Sequence, residues 1–279
     1  MMKSDYVYLF YPGTISFWIA MVCRVFRKPY GIYLRGQKFP TSHLGLAILQ
    51  KAKYINSVAT NLVKDSKLEL NASRIRPMIE IQKDDFSAKS FVKNNSQENW
   101  NLLFVGRLEK DKGVLDVVEA CEQLASNSQL RFRLMLVGGG SLYPVLSELS
   151  SQLDWLTVVG HIASHSALMQ QYEQADFFIL PTHHEGFPRV LYEAMAKSNV
   201  ILTTMVGGIP SVMIPDYNCL EIQVDSPGEI AKVLARAVTS RELMQRVVRN
   251  ALQTVEDTLK LPPHAMLLAD QCDLITRSK

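Results

Sequence analysis

From residue 101 onward, apolar runs of strand length alternate with stretches of helix length. Strand-like runs fall at 101–105, 132–137, 156–159, 175–180 and 200–203, with helix-favouring segments between them. Parallel strands need crossover connections, so this alternation predicts an α/β unit whose parallel sheet is covered on both faces. In such a sheet ligands bind beyond the carboxyl ends of the strands. The loops after Val105, Val137 and Leu180 are therefore expected to converge on one site.

The first 96 residues carry a shorter version of the pattern. Strands are expected at 6–10, 30–34 and 54–59, a helix at 44–53, and a further apolar run at 76–81. Residues 83–99 are polar and charged and read as a linker. With 279 residues, 47% of them hydrophobic, the chain can bury cores for two domains. The expected division is 1–96, 97–258 and a terminal helix at 259–279 that packs back on the first domain.

Residues 15–26 are apolar for about three turns, too short for the ~20 residues a bilayer span needs. Two readings stay open for them: a helix packed on a sheet, or one that touches a membrane surface through Trp18 and its basic end at Arg27 and Lys28. The net charge of +3 is far from that of a nucleic-acid binder, so no nucleic-acid partner is expected. Four scattered cysteines without a Cys-x-x-Cys pair, and an N-terminus without secretory-signal features, lead to the expectation of a cytoplasmic protein, with peripheral membrane contact left open.

Chemistry concentrates in three stretches. Residues 181–197 read strand end, loop and helix, with Pro188 suited to the first turn of that helix. Glu185 then lies in the loop and Glu193 inside the helix, a separation of roughly 8 to 12 Å at about 1.5 Å per residue. That distance suits two ends of one extended ligand rather than one proton-transfer pair. Residues 106–113 carry two cations, Arg107 and Lys112, that suit a diphosphate: a planar fork and a compact point charge. The helix start near Pro188 adds free N–H groups and a dipole end.

Gly138, Gly139 and Gly140 lack the spacing of a dinucleotide fingerprint and read as a tight turn that lets a ligand approach. Gly207-Gly208-Ile209-Pro210 reads as another approach point before a short helix. His183-His184-Glu185 shows no third, suitably spaced metal ligand, so no metal is expected there.

Together these residues resemble the retaining glycosyltransferases built from two facing Rossmann-like domains (GT-B), of the family 4-like or group 1 type. The resemblance covers residues 100–260. It rests on Arg107, Lys112 and Gly113; on residues 136–140; on Glu185-Gly186-Phe187 followed by Glu193-Ala194-Met195-Ala196; and on residues 207–210. Two glutamates with seven residues between them are that family's signature.

The resemblance implies transfer of a hexose from a nucleotide-diphosphate sugar to a glycan or lipid-linked acceptor, with retention of anomeric configuration and no metal or other cofactor. By it Arg107 and Lys112 hold the diphosphate, Glu185 contacts the transferred sugar and Glu193 the ribose. Gly106, Gly140, Gly186, Phe187, Pro188, Val190 and Leu191 complete the donor site.

The departures are specific. Pro188 stands where the family has glycine, and Ser198 and Val200 replace a Gly and a Pro, with Asn199 the expected left-handed residue instead. Arg35 takes the place of a histidine near the sugar. About 95 residues precede the linker where 150 to 180 would be usual, which implies a shortened acceptor-side domain. A non-catalytic subunit that binds nucleotide sugar and needs a partner chain is the alternative.

Overall fold

The computed structural model describes residues 6–34, 42–58, 72–77, 79–87, 99–127, 130–186 and 188–277. They fall into two compact units, residues 1–78 with 257–279, and residues 79–256. Arg35, Phe187 and most of the expected linker lie outside the described residues.

The first unit is built on a parallel sheet of β1 (Val7–Tyr11), β2 (Tyr30–Leu34), β3 (Tyr54–Ser57) and β4 (Ala72–Arg74), in that spatial order. Helices α1 (Thr14–Val25) and α2 (His43–Lys51) supply the crossovers. The Ser42 hydroxyl caps α2 by accepting from the Gly45 N–H at 3.1 Å. Ile32, Ile48, Leu49 and Ile55 form the core together with Ala20 and Cys23 of α1. The last strand is three residues of Ala-Ser-Arg just before the apolar run at 76–81, and no alternation in the sequence marked it.

The last helix, His264–Arg277, belongs to this unit through a buried amide pair. Asn56 donates to Gln271 Oε1 at 3.1 Å and Gln271 donates back to Asn56 Oδ1 at 3.0 Å. Each buried amide thus satisfies the other, which is what makes their burial tolerable.

The second unit holds six parallel strands: β5 (Trp100–Val105), β6 (Phe132–Val137), β7 (Leu156–Val159), β8 (Phe177–Leu180), β9 (Val200–Thr203) and β10 (Leu220–Glu221). Every residue of β8 and β9 is buried, as expected of strands covered on both faces. The helices are α3 (Val114–Asn127), α4 (Tyr143–Ser150), α5 (His165–Gln174), α6 (Arg189–Ala196), α7 (Pro227–Val238) and α8 (Arg241–Leu259).

The spatial order is β10-β9-β8-β5-β6-β7. The chain leaves β5 for β6 and β7 on one side and returns to place β8 on the other. The crevice between β5 and β8, at their carboxyl ends, is the topological switch point where such sheets bind ligands.

Two local expectations change. The strand expected from 175 begins at Phe177, because the Asp176 side chain instead accepts the Asn101 N–H at 2.8 Å. The left-handed residue after α6 is Ser198, with φ of 56°, and not Asn199. Asn199 is needed elsewhere: buried, it donates to the carbonyls of Tyr172 at 2.9 Å and Ala175 at 2.7 Å.

Candidate functional site

Two loops meet at the switch point, the one after β5 (106–113) and the one after β8 (181–188). Lys112 closes a 3₁₀ turn, Lys110–Lys112, just ahead of α3. Its ammonium donates to Glu185 Oε2 at 2.8 Å and to the His184 carbonyl at 3.1 Å. The two side chains are only 14% and 17% exposed, so the ion pair is largely withdrawn from water. Backbone bonds hold the same alignment. The His183 N–H donates to the Asp111 carbonyl at 2.9 Å, and Thr182 Oγ1 donates to the His184 carbonyl at 2.9 Å. Thr204, just beyond β9, donates to the Thr182 carbonyl at 2.7 Å.

Glycines let these loops touch, but their neighbours are protein backbone rather than open space. Gly138 and Gly140 lie against the Gly106 and Leu108 carbonyls, where a Cβ would sit 1.8 and 2.4 Å away. The Leu108 N–H donates to the Gly139 carbonyl, and Glu109 accepts from both the amide and the hydroxyl of Ser141. The expected convergence of the loops after Val105 and Val137 is thus present, with the glycines serving loop-to-loop packing.

Gly207 does the same for Glu185. Its φ is +55°, and a Cβ would lie 1.9 Å from the Glu185 carbonyl, which also accepts the Gly208 N–H at 2.8 Å. Gly207→Ala is expected to cost about 2 to 4 kcal/mol of stability, from strained backbone plus a clash that no side-chain rotation relieves. Chemical denaturation would measure it, and a change below about 0.5 kcal/mol would refute the packing account.

The other expected residues are placed unevenly. Arg107 is 66% exposed, with Asp111 3.4 Å away, so it swings at the rim. Pro188 is buried and stands at the cap position just before α6, where no side chain caps the helix. The Leu191 N–H is already bonded to the Pro188 carbonyl at 3.1 Å, and Leu191 is buried, so the amides nearest the mouth are those before it. Val190 is half-buried in the first turn and Gly186 is exposed, with its N–H donating to Glu185 Oε1 at 3.1 Å.

Glu193 reaches the buried hydroxyl of Tyr172 on α5, which donates to its Oε2 at 2.8 Å. Burial raises the Glu193 pKa, against the opposing pull of the Tyr172 hydrogen bond. Burial, and then Glu193 itself, drives the Tyr172 pKa well above its ordinary value. Tyr172 gave no functional signal in the sequence, since Met169 and Tyr172 at spacing three read simply as the buried face of a helix.

His183 also finds partners that no local spacing suggests. Its Nε2 lies 3.3 Å from Asp225 Oδ1 and 3.9 Å from Asp116 Oδ2, and the three groups' ligand-capable atoms lie within 4.8 Å of one another. The third group missing from the His183-His184-Glu185 run is thus supplied by α3 and by the turn before α7. Burial, then the nearby Asp225 charge, raises the Asp116 pKa. A protonated imidazole between two carboxylates ties the Glu185 loop to the start of α3.

A charge pair at a strand switch point, beside an uncapped helix start, is an arrangement for holding an extended anion. Comparison with known proteins agrees. Residues 85–254 match the family described as Glycosyl transferases group 1. An uncharacterized glycosyltransferase of Methanocaldococcus jannaschii is 26% identical over 164 residues, 58% of this chain and 44% of that protein. The capsular polysaccharide biosynthesis glycosyltransferase CapM of Staphylococcus aureus is 23% identical over 221 residues, 76% of this chain and 56% of that protein. The chain thus spans about half the length of these relatives. Among solved structures, Anabaena Alr3699/HepE in complex with UDP superposes with a TM-score of 0.68 at 15% identity, over 99% of this chain and 77% of that one.

Proposed function

Because the chain belongs to the glycosyl transferases group 1 family, we propose that it takes a hexose from a nucleotide-diphosphate sugar and passes it to a glycan or lipid-linked acceptor, with retention of anomeric configuration. The observation that carries this is the Lys112–Glu185 pair, withdrawn from water at the switch point. An ammonium has three N–H donors, and two of these go to Glu185 and the His184 carbonyl. The third is left for a phosphate oxygen. Arg107, exposed at the rim, adds a planar fork, and the start of α6 adds its dipole.

In the reaction the bond from the anomeric carbon to the diphosphate breaks and a bond to the acceptor oxygen forms on the same face. The acceptor's proton leaves with the departing diphosphate. Negative charge grows on that diphosphate, and groups already aimed at it lower the barrier without reorganising. Glu185 lies where it can meet the sugar hydroxyls, and Glu193, inside α6, is assigned the ribose. Gly106, Gly140, Gly186, Phe187, Pro188, Val190 and Leu191 are assigned to the surrounding donor pocket. No metal is required by this scheme, since cations of the chain do the charge stabilisation.

A ligand that binds only the folded state raises its stability, by about 2.7 kcal/mol at a hundredfold excess over Kd. The diphosphates of uridine, guanosine and adenosine and their sugars, screened by thermal shift, are expected to give one base that stabilises the protein. No stabilisation by any of them would overturn the proposal. The length relative to its relatives favours one second reading, a donor-binding subunit that completes its site with another polypeptide. Stabilisation without donor hydrolysis or transfer, and turnover restored by a second chain, would select it.

A further inference from the structure

A helix on the surface of a domain is expected to be polar on its outer face, and α1 is not. Ala20 and Cys23 are buried against the sheet, while Ile15, Trp18, Val22 and Val25 are exposed by 77%, 64%, 42% and 74%, and Phe26, just past the helix, by 71%. At 3.6 residues per turn these five fall within an arc of about 100°. They form one apolar stripe about three turns long.

Where the stripe ends, charge begins. Arg24, Arg27 and Lys28 leave the helix beside Lys51 and Lys53 at the end of α2, and the five line a pocket of about 920 Å³. Among the described residues no carboxylate lines it. No helix among them is long and apolar enough to cross a membrane, so an apolar stripe of this kind can only lie along a surface.

We propose that the outer face of α1 and the adjoining cationic pocket dock the protein onto an anionic lipid bilayer. The stripe lies in the plane of the interface, with Trp18 at headgroup depth, an environment this side chain favours. The cations meet lipid phosphates. Charge complementarity selects this occupant over an apolar protein face, which would gain nothing from five cations beside it. The proposal is independent of the donor reading, because every residue in it lies in the first unit.

The test is cosedimentation of the whole chain with phosphatidylcholine vesicles, with and without about 30% phosphatidylglycerol. The wild type is expected to partition onto the anionic vesicles and to release at high salt. Each cation near such a surface contributes about fivefold to partitioning, so Lys51→Gln with Lys53→Gln is expected to lower it about 25-fold. Trp18→Ser with Val25→Ser is expected to lower it at least tenfold, and an unchanged melting temperature shows that both variants fold. Wild type that ignores anionic vesicles, or variants that bind as it does, would overturn the proposal. So would a wild-type dimer without vesicle affinity that Trp18→Ser with Val25→Ser converts to monomer, since the face would then belong to a second copy. The nucleotide screen reads the other unit, so either proposal can fail alone.

Discussion

Lys112→Ala is expected to lower sugar transfer by about 10² to 10³-fold, the loss typical when one preorganised charge-stabilising donor is removed from a transition state. Two consequences of its geometry separate it from Arg107→Ala. Lys112 is the charge partner of Glu185, and both side chains are mostly withdrawn from water. Its removal leaves a carboxylate unpaired, so stability falls by about 1 to 3 kcal/mol. Arg107 stands exposed beside Asp111, and its loss is expected to leave stability within about 0.5 kcal/mol. Nucleoside diphosphate binding should weaken in both variants, about tenfold or more, as a charged hydrogen bond to phosphate is lost.

The decisive comparison is a double-mutant cycle on Lys112 and Glu185. With both replaced by alanine the unpaired charge disappears, and stability should recover part of what Lys112→Ala lost, while transfer should stay low. Titration calorimetry with the diphosphate, denaturation and transfer rates measure the three quantities. Lys112→Ala binding the diphosphate as wild type does would sink the assignment.

Much of this arrangement was legible before any coordinates, and for a physical reason. Strand and helix periods are local, so alternation from 101 to 203 sufficed to foresee a parallel sheet with strands at 132–137, 156–159 and 200–203, which are the strands found. The loops at strand ends followed from the same rule, and with them Lys112 and Glu185. What the sequence hid is pairing over long separations. Nothing local says that Lys112 and Glu185, 73 positions apart, bond directly, or that Asp116 and Asp225 meet His183. Asn199 looked like the left-handed residue by type, yet its amide was committed to two buried carbonyls, and Ser198 took the strained backbone. The short edge strand β10 and the helix α7 that follows it drew no expectation from their composition. The glycines read as openings for a ligand are filled by neighbouring loops, because a missing Cβ does not reveal what approaches it.

Glu193→Gln is expected to move stability and binding in opposite directions. Burial raises the Glu193 pKa, so the folded protein holds that proton more tightly than the unfolded chain does. The carboxyl therefore contributes its full stability below the ordinary glutamate range, and that contribution is lost as pH rises through the folded value. Glutamine is the same shape, still accepts the Tyr172 hydroxyl, and never ionises. The melting temperature of Glu193→Gln should therefore exceed that of wild type at about pH 7, with the gap narrowing toward about pH 5 and below. If the carboxylate is held in α6 to accept the ribose hydroxyls, its loss removes charge-assisted bonds, and nucleotide affinity should fall about 10- to 100-fold. A more stable protein with unimpaired affinity would make Glu193 a buried structural partner of Tyr172 alone. Higher stability with lost affinity is the signature of a charge kept at the fold's expense for the ligand's sake.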